Sequence, residues 1–216
     1  CGWYWQSDYS WGWAAFHYGR WDYHSSHGWV WCPGSTWGPS WVTWRSGAGY
    51  SGWAPLPSTV CYDSRIGFTY RGSHFGMSVN LGFASDYYTF VPTGRFLDSR
   101  LYDHRIPSSR ATEVFHNTTI INNYSTGKYH WVINEGIGRD SVASATRTDI
   151  RTVTIQDHAG LPPGSGRHEL PDHNTTLQVY RPRPVGSPSA APAANGAGKF
   201  PSVNPARPAR SPTEKT

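Results

Sequence analysis

The chain has 216 residues, nineteen Lys and Arg against fourteen Asp and Glu, and twelve tryptophans among 15% aromatic residues. It is long enough for one large domain or two small ones, and it has no apolar run near the ~18 residues that mark a spanning helix, so no transmembrane segment is expected. Six of the basic residues (Arg181, Arg183, Lys199, Arg207, Arg210, Lys215) and one acid (Glu214) fall after residue 180. The remainder is balanced, which argues against a nucleic-acid partner, because duplex binding needs clustered cations that displace counterions.

Eleven of the tryptophans fall between residues 3 and 53, in Gly-Trp and Trp-x-Trp units such as Gly2-Trp3-Tyr4-Trp5, Trp11-Gly12-Trp13, Gly28-Trp29-Val30-Trp31 and Trp41-Val42-Thr43-Trp44. Alternation places both rings of a Trp-x-Trp unit on one strand face. Residues 1–57 therefore read as a Trp-rich antiparallel hairpin meander or roll. Its turns are expected at Ser7–Ser10, Tyr18–Arg20, His24–Gly28, Pro33–Ser35 and Arg45–Gly49. Gly2-Trp3, Gly28-Trp29 and Gly52-Trp53 recur at intervals near 25 residues, a period that suits one hairpin per repeat.

Two sets of side chains in this region have chemical potential. His17, His24 and His27, beside Asp22, are candidate transition-metal ligands if a turn gathers them, although packing and exposure explain three such rings equally well. Cys32 and Cys61 are a disulfide candidate in an oxidising compartment, with two free thiols as the alternative. Cys1 reads either as a lipidated terminus or as a start inside a longer precursor.

Residues 58–110 mix Gly and aromatics and read as short strands and a long loop ending at Pro107. Asp98, Asp103, His104 and Arg105 in that loop suggest an acid and base pair on paper, but a surface-charge reading fits them better. In residues 111–160, the β-branched and aromatic runs Thr118–Tyr124 and Tyr129–Asn134 flank Ser125–Lys128 as a hairpin. Asp140 is placed to N-cap one short helix near residues 140–147, and Ile150–Ile155 alternates as a strand. Residues 161–216 read as an extended tail, rich in Pro, Ala and Gly from Arg181 onward, without the apolar content that offsets chain entropy. The fold class expected is mainly β with one short helix. Glycosylation sequons stand at Asn117, Asn123 and Asn174.

The runs Trp11–Trp21, Gly28–Trp31, Trp37–Arg45 and Gly52–Pro57 resemble a Trp-rich bacterial family of unknown function, the DUF6600 type with YXWGXW-like repeats. The resemblance continues through Phe90–Leu97, Asn117–Tyr124 and Val132–Gly138, to about residue 157. The resemblance implies export from a bacterial cell and transfers no catalytic residues. Cys1 and Cys32 depart from the family pattern.

The sequence lacks Gly-x-Ser-x-Gly, His-Glu-x-x-His, a phosphate-binding glycine loop and Cys-x-x-Cys, so neither an enzyme nor a cofactor is expected. The aromatic array is the best functional candidate, because Trp and Tyr dominate binding energy at interfaces. The expected function is that of a non-enzymatic, exported scaffold of the envelope or exterior. Trp3, Trp5, Trp13, Trp29, Trp31, Trp41 and Trp44 are its expected contact residues, and residues 181–216 are expected to reach a neighbouring subunit of an assembly or filament. The rival is a cell-envelope module that binds polysaccharide.

Overall fold

The computed structural model describes residues 2–63, 67–74, 80–122, 124–126, 132–158 and 176–180. Strand predominates among them, as the alternation predicts. The strands are β1 (Tyr18–His24), β2 (Gly28–Trp37), β3 (Val42–Gly47), β4 (Tyr50–Pro55), β5 (Val60–Asp63), β6 (Gly67–Tyr70), β7 (Ser73–His74), β8 (Thr89–Pro92), β9 (Thr119–Ile121), β10 (Tyr124–Thr126), β11 (Val132–Asn134), β12 (Thr154–His158) and β13 (Thr176–Tyr180). The helices are α1 (Gly12–Ala15), α2 (Ser108–His116) and α3 (Arg139–Thr146). None of the described helices is long and apolar enough to cross a membrane.

The centre is a four-stranded antiparallel sheet in the order β8-β4-β3-β9. Its hairpin turns at Ala48 and Gly49, where φ is 48° and 80°. Two positive φ values between the paired residues Gly47 and Tyr50 match the two-residue turn whose twist suits antiparallel strands. Side chains leave the sheet alternately. Trp44 and Val91 face one way, where Phe96, Ile137 and Val142 of α3 close over them. Ala54 and Phe90 face the other way and meet Tyr88 and Val114 of α2. Both faces of this sheet are therefore covered, and each carries its own apolar cluster.

The hairpin β1–β2 corrects two expected turns. Register runs from His24↔Gly28 to Arg20↔Cys32, then jumps to Tyr18↔Trp37. Pro33, Gly34 and Ser35 thus form a bulge inside β2 and not a turn between strands, and Tyr18–Arg20 lies inside β1. A bulge is where a strand tolerates Pro, which cannot donate to the ladder. Glycines make the close approach possible: Gly19 adopts φ 89°, and a Cβ on Gly34 would lie 3.0 Å from Gly19 Cα.

Three smaller sheets surround this frame. Strands β5, β6 and β7 form an antiparallel set, sealed by Trp41, Leu56, Val60 and Phe68. The hairpin expected around Ser125–Lys128 is corrected: Thr119–Ile121 joins β3, Ser125 lies inside β10, and β10 pairs antiparallel with β11, Tyr124 opposite Asn134. Strands β12 and β13 pair in parallel, and Leu177 and Val179 bury themselves against Tyr18 and Trp37. The tail assigned to residues 161–216 is corrected accordingly, because 176–180 is a strand of the folded body. The stretch 181–216 lies outside the described residues.

Helix content also departs from expectation. Trp11-Gly12-Trp13 is the start of a helical turn, not a strand, and Gly2–Trp5 joins no described ladder, although Trp5 N donates to Pro39 O at 3.1 Å. The helix near residue 142 forms over Arg139–Thr146 with Gly138 at its N-cap. Asp140 sits inside the first turn, where a carboxylate favours the positive end of the helix dipole. Helix α2 was not expected at all. Pro107 precedes it, and only Ala111 and Val114 are buried along it, so its apolar stripe is too thin to stand out among Ser, Arg and Thr.

Candidate functional site

The seven indoles expected as contact residues lie in different parts of the body. Trp41 and Trp44 are core residues, 8% and 5% exposed, and they belong to different apolar clusters. Trp3 stands edge-on to Phe96 at 4.9 Å and donates from Nε1 to Ile137 O at 2.8 Å. Trp5 lies between Phe16 and Trp53, with its buried Nε1 lacking an acceptor among the described residues. Trp13 meets Tyr18 edge-on. Trp31 donates to Tyr18 O at 2.8 Å. Trp21 and Trp41 donate in the same way to Ala15 O and His17 O, each at 2.9 Å. Each of these N–H groups ties a large ring to a distant backbone carbonyl, so these indoles act as cross-links within the body.

Of the seven, Trp29 alone is largely exposed, at 44%. Tyr23 stands edge-on to it at 5.4 Å and Tyr87 at 6.0 Å, Phe83 stacks on Tyr87, and the neighbouring Val30 is also exposed. The second exposed group was missed in the sequence. Tyr9 is 61% and Trp11 48% exposed, and their rings stack 4.7 Å apart at 11°. Phe16 supports Trp11 at 5.7 Å. The signal was there in the Ser7–Ser10 turn: residues beside a turn escape strand alternation, and the α1 turn then lifts Trp11 outward.

The three candidate metal-ligating histidines separate into one and two. His17 is buried and sandwiched between Tyr4, 4.6 Å away at 1°, and Trp37, 5.8 Å away at 20°. Its Nδ1 is 2.9 Å from Gly38 O and its Nε2 3.0 Å from Trp5 O. A neutral ring donates from one nitrogen only, so the doubly protonated ring is the form that satisfies both carbonyls. Either way, neither nitrogen is open to a metal. Burial pushes the Tyr4 phenol up to about 12. His24 and His27 are exposed and close together, with ring centroids 5.1 Å apart. Among the described residues no group of three or more His, Cys, Asp or Glu gathers in a way that holds a metal.

The disulfide candidate is corrected as well. Cys32 and Cys61 are both free thiols, and Cys32 Sγ donates to Asp22 Oδ2 at 3.3 Å. Asp22 Oδ1 accepts from Ser58 N at 2.8 Å, so the carboxylate fastens the β1–β2 hairpin to the segment before β5. Burial and the adjacent carboxylate push the Cys32 thiol up. Arg20 lies over the Trp41 ring at 3.5 Å. Burial lowers its guanidinium to about 10, against the opposing pull of Cys61 and Asp22.

Asp98 and Asp103 form no converging pair. His104 Nε2 meets Asp98 Oδ2 at 2.9 Å and Arg95 meets it at 3.4 Å, while Arg100 takes Asp103 at 3.3 Å. Each carboxylate is neutralised by cations on the partly exposed loop that carries it, as a surface-charge reading expects.

No curated protein and no solved structure matches the chain. The resemblance expected to about residue 157 is matched over a shorter stretch, which takes in α1, the first two hairpins and the first residue of β5. Over residues 1–60 the chain is similar to DUF6600, a family of unknown function.

Proposed function

We propose that this chain is a non-enzymatic docking protein of the bacterial envelope or exterior. Its aromatic body presents a few rings to copies of itself in an assembly, and residues 181–216 engage the neighbouring subunit. The observation that carries this reading is the pre-organisation of the exposed rings. Trp29 is braced by Tyr23 and Tyr87, and Trp11 by Tyr9 and Phe16. Rings already held in place lose little freedom on binding, and Trp and Tyr are the residues that most often dominate interface energy. Composition supports export: three Lys and one Met stand against twelve Trp and thirteen Tyr.

The near-parallel Tyr9–Trp11 plate favours a second reading, a module that packs the C–H face of a polysaccharide on an aromatic surface. Sedimentation equilibrium separates the two. The docking reading predicts a mass above the 24.1 kDa of one chain, returning to that value in Trp29→Ser. A monomer at every concentration, with tryptophan fluorescence quenched by soluble polysaccharide and unquenched in Trp11→Ser, contradicts docking and supports the glycan module.

A further inference from the structure

The tip of the β1–β2 hairpin brings three polar atoms into one small triangle. His24 pairs with Gly28 across the strands, which leaves Ser25, Ser26 and His27 as the loop. His27 N donates to His24 O at 3.2 Å, and Gly28 takes φ 73°. The loop is thus a three-residue turn, followed directly by a left-handed glycine at the start of β2. It turns His24 and His27 to the same side. Their Nδ1 atoms face each other at 3.3 Å, and Ser26 Oγ lies 2.9 Å from the first and 2.7 Å from the second.

We propose that His24 and His27 bind one late divalent transition-metal ion through their two Nδ1 atoms. The chemistry is that of Zn2+, Ni2+ or Cu2+, for which neutral imidazole is a favoured ligand. Two nitrogens bound tetrahedrally at the usual zinc distance stand about 3.3 Å from each other, which is the spacing found here. Without an ion, two opposed ring nitrogens repel through their lone pairs unless one of them carries the proton, so a metal fits this arrangement without that restriction. Without the ion, the Ser26 hydroxyl bonds both nitrogens and holds the rings together; it releases them when the ion binds, because each Nδ1 has one lone pair to give. Two coordination positions remain for water, so the site is open and not closed as a structural zinc site is. His17 takes no part, since both its nitrogens are engaged inside the body.

The test is a Zn2+ titration of the full chain followed by long-range 1H–15N correlation of the imidazoles. Saturable shifts at Nδ1 of both His24 and His27 are expected, with His116, which is exposed on α2, unmoved. His27→Ala should abolish the response of His24. It sits on an exposed loop, and an unchanged amide spectrum of that variant shows that the fold persists. The proposal is overturned if neither ring responds, or if zinc affinity is the same in the His24→Ala/His27→Ala double variant, which would place the ion elsewhere, for instance on the free thiols.

Discussion

Tyr4, His17 and Trp37 form a stack in which the middle ring is pinned at both nitrogens by backbone carbonyls of separate segments. Replacing His17 with Phe keeps the stack and leaves the Gly38 and Trp5 carbonyls without their donors, a loss of about 2–6 kcal/mol in all at the usual cost per buried group left unpaired. Chemical denaturation of His17→Phe should show a destabilisation in that range; an unchanged midpoint contradicts the pinning. Tyr4 adds a pH dependence. Its folded-state ionisation is raised from 10.0 to about 12 by burial, so the folded chain holds a proton that the unfolded chain releases earlier. The contribution of this group is fully present below pH 10 and is lost between about pH 10 and pH 12, a fall of about 3 kcal/mol. Tyr4→Phe should flatten that part of the stability curve. Sequence alternation could not reveal this stack, because its rings come from an irregular segment, the residue before β1 and the end of β2.

At the scale of elements, the legible parts were those whose local chemistry and burial agree. The β3–β4 hairpin and α3 form near where turn and cap residues place them, although Arg45–Gly47 of the expected turn belong to β3 and the helix is capped by Gly138 and not Asp140. The illegible parts were those decided by distant contacts. Pro33-Gly34 reads as a turn by composition, yet β1 holds it as a bulge through Gly19. Thr176–Tyr180 reads as tail because the residues around it are polar, yet Leu177 and Val179 complete the cluster of Tyr18 and Trp37. Leu177→Ala should therefore cost about 2–5 kcal/mol, the usual penalty for truncating a buried Leu, measured by urea unfolding. A tail residue would change the midpoint hardly at all. Helix α2 gains a support that its own sequence hides. Arg45 of β3, buried beneath it, donates to Phe115 O and Thr118 O at its C-terminal end, where a cation is favoured by the helix dipole.

For the whole molecule, the tryptophan density has a physical answer. Among the described residues there are four apolar clusters instead of one large core, and three of them hold indoles; several indoles are tied by N–H bonds to backbone carbonyls. A sequence with this many rings signals strand structure and heavy aromatic packing, and both were read correctly. Which rings stay outside depends on how the clusters close, and of the expected contact residues Trp29 is exposed while Trp41 and Trp44 are buried. The most direct measurement is hydroxyl-radical footprinting of the native chain, with oxidation quantified at each tryptophan by mass spectrometry. Trp11 and Trp29 should oxidise fastest and Trp37, Trp41 and Trp44 slowest. Oxidation of Trp41 or Trp44 at the rate of Trp29 contradicts the account, because the indoles would then form an open surface and not an internal frame.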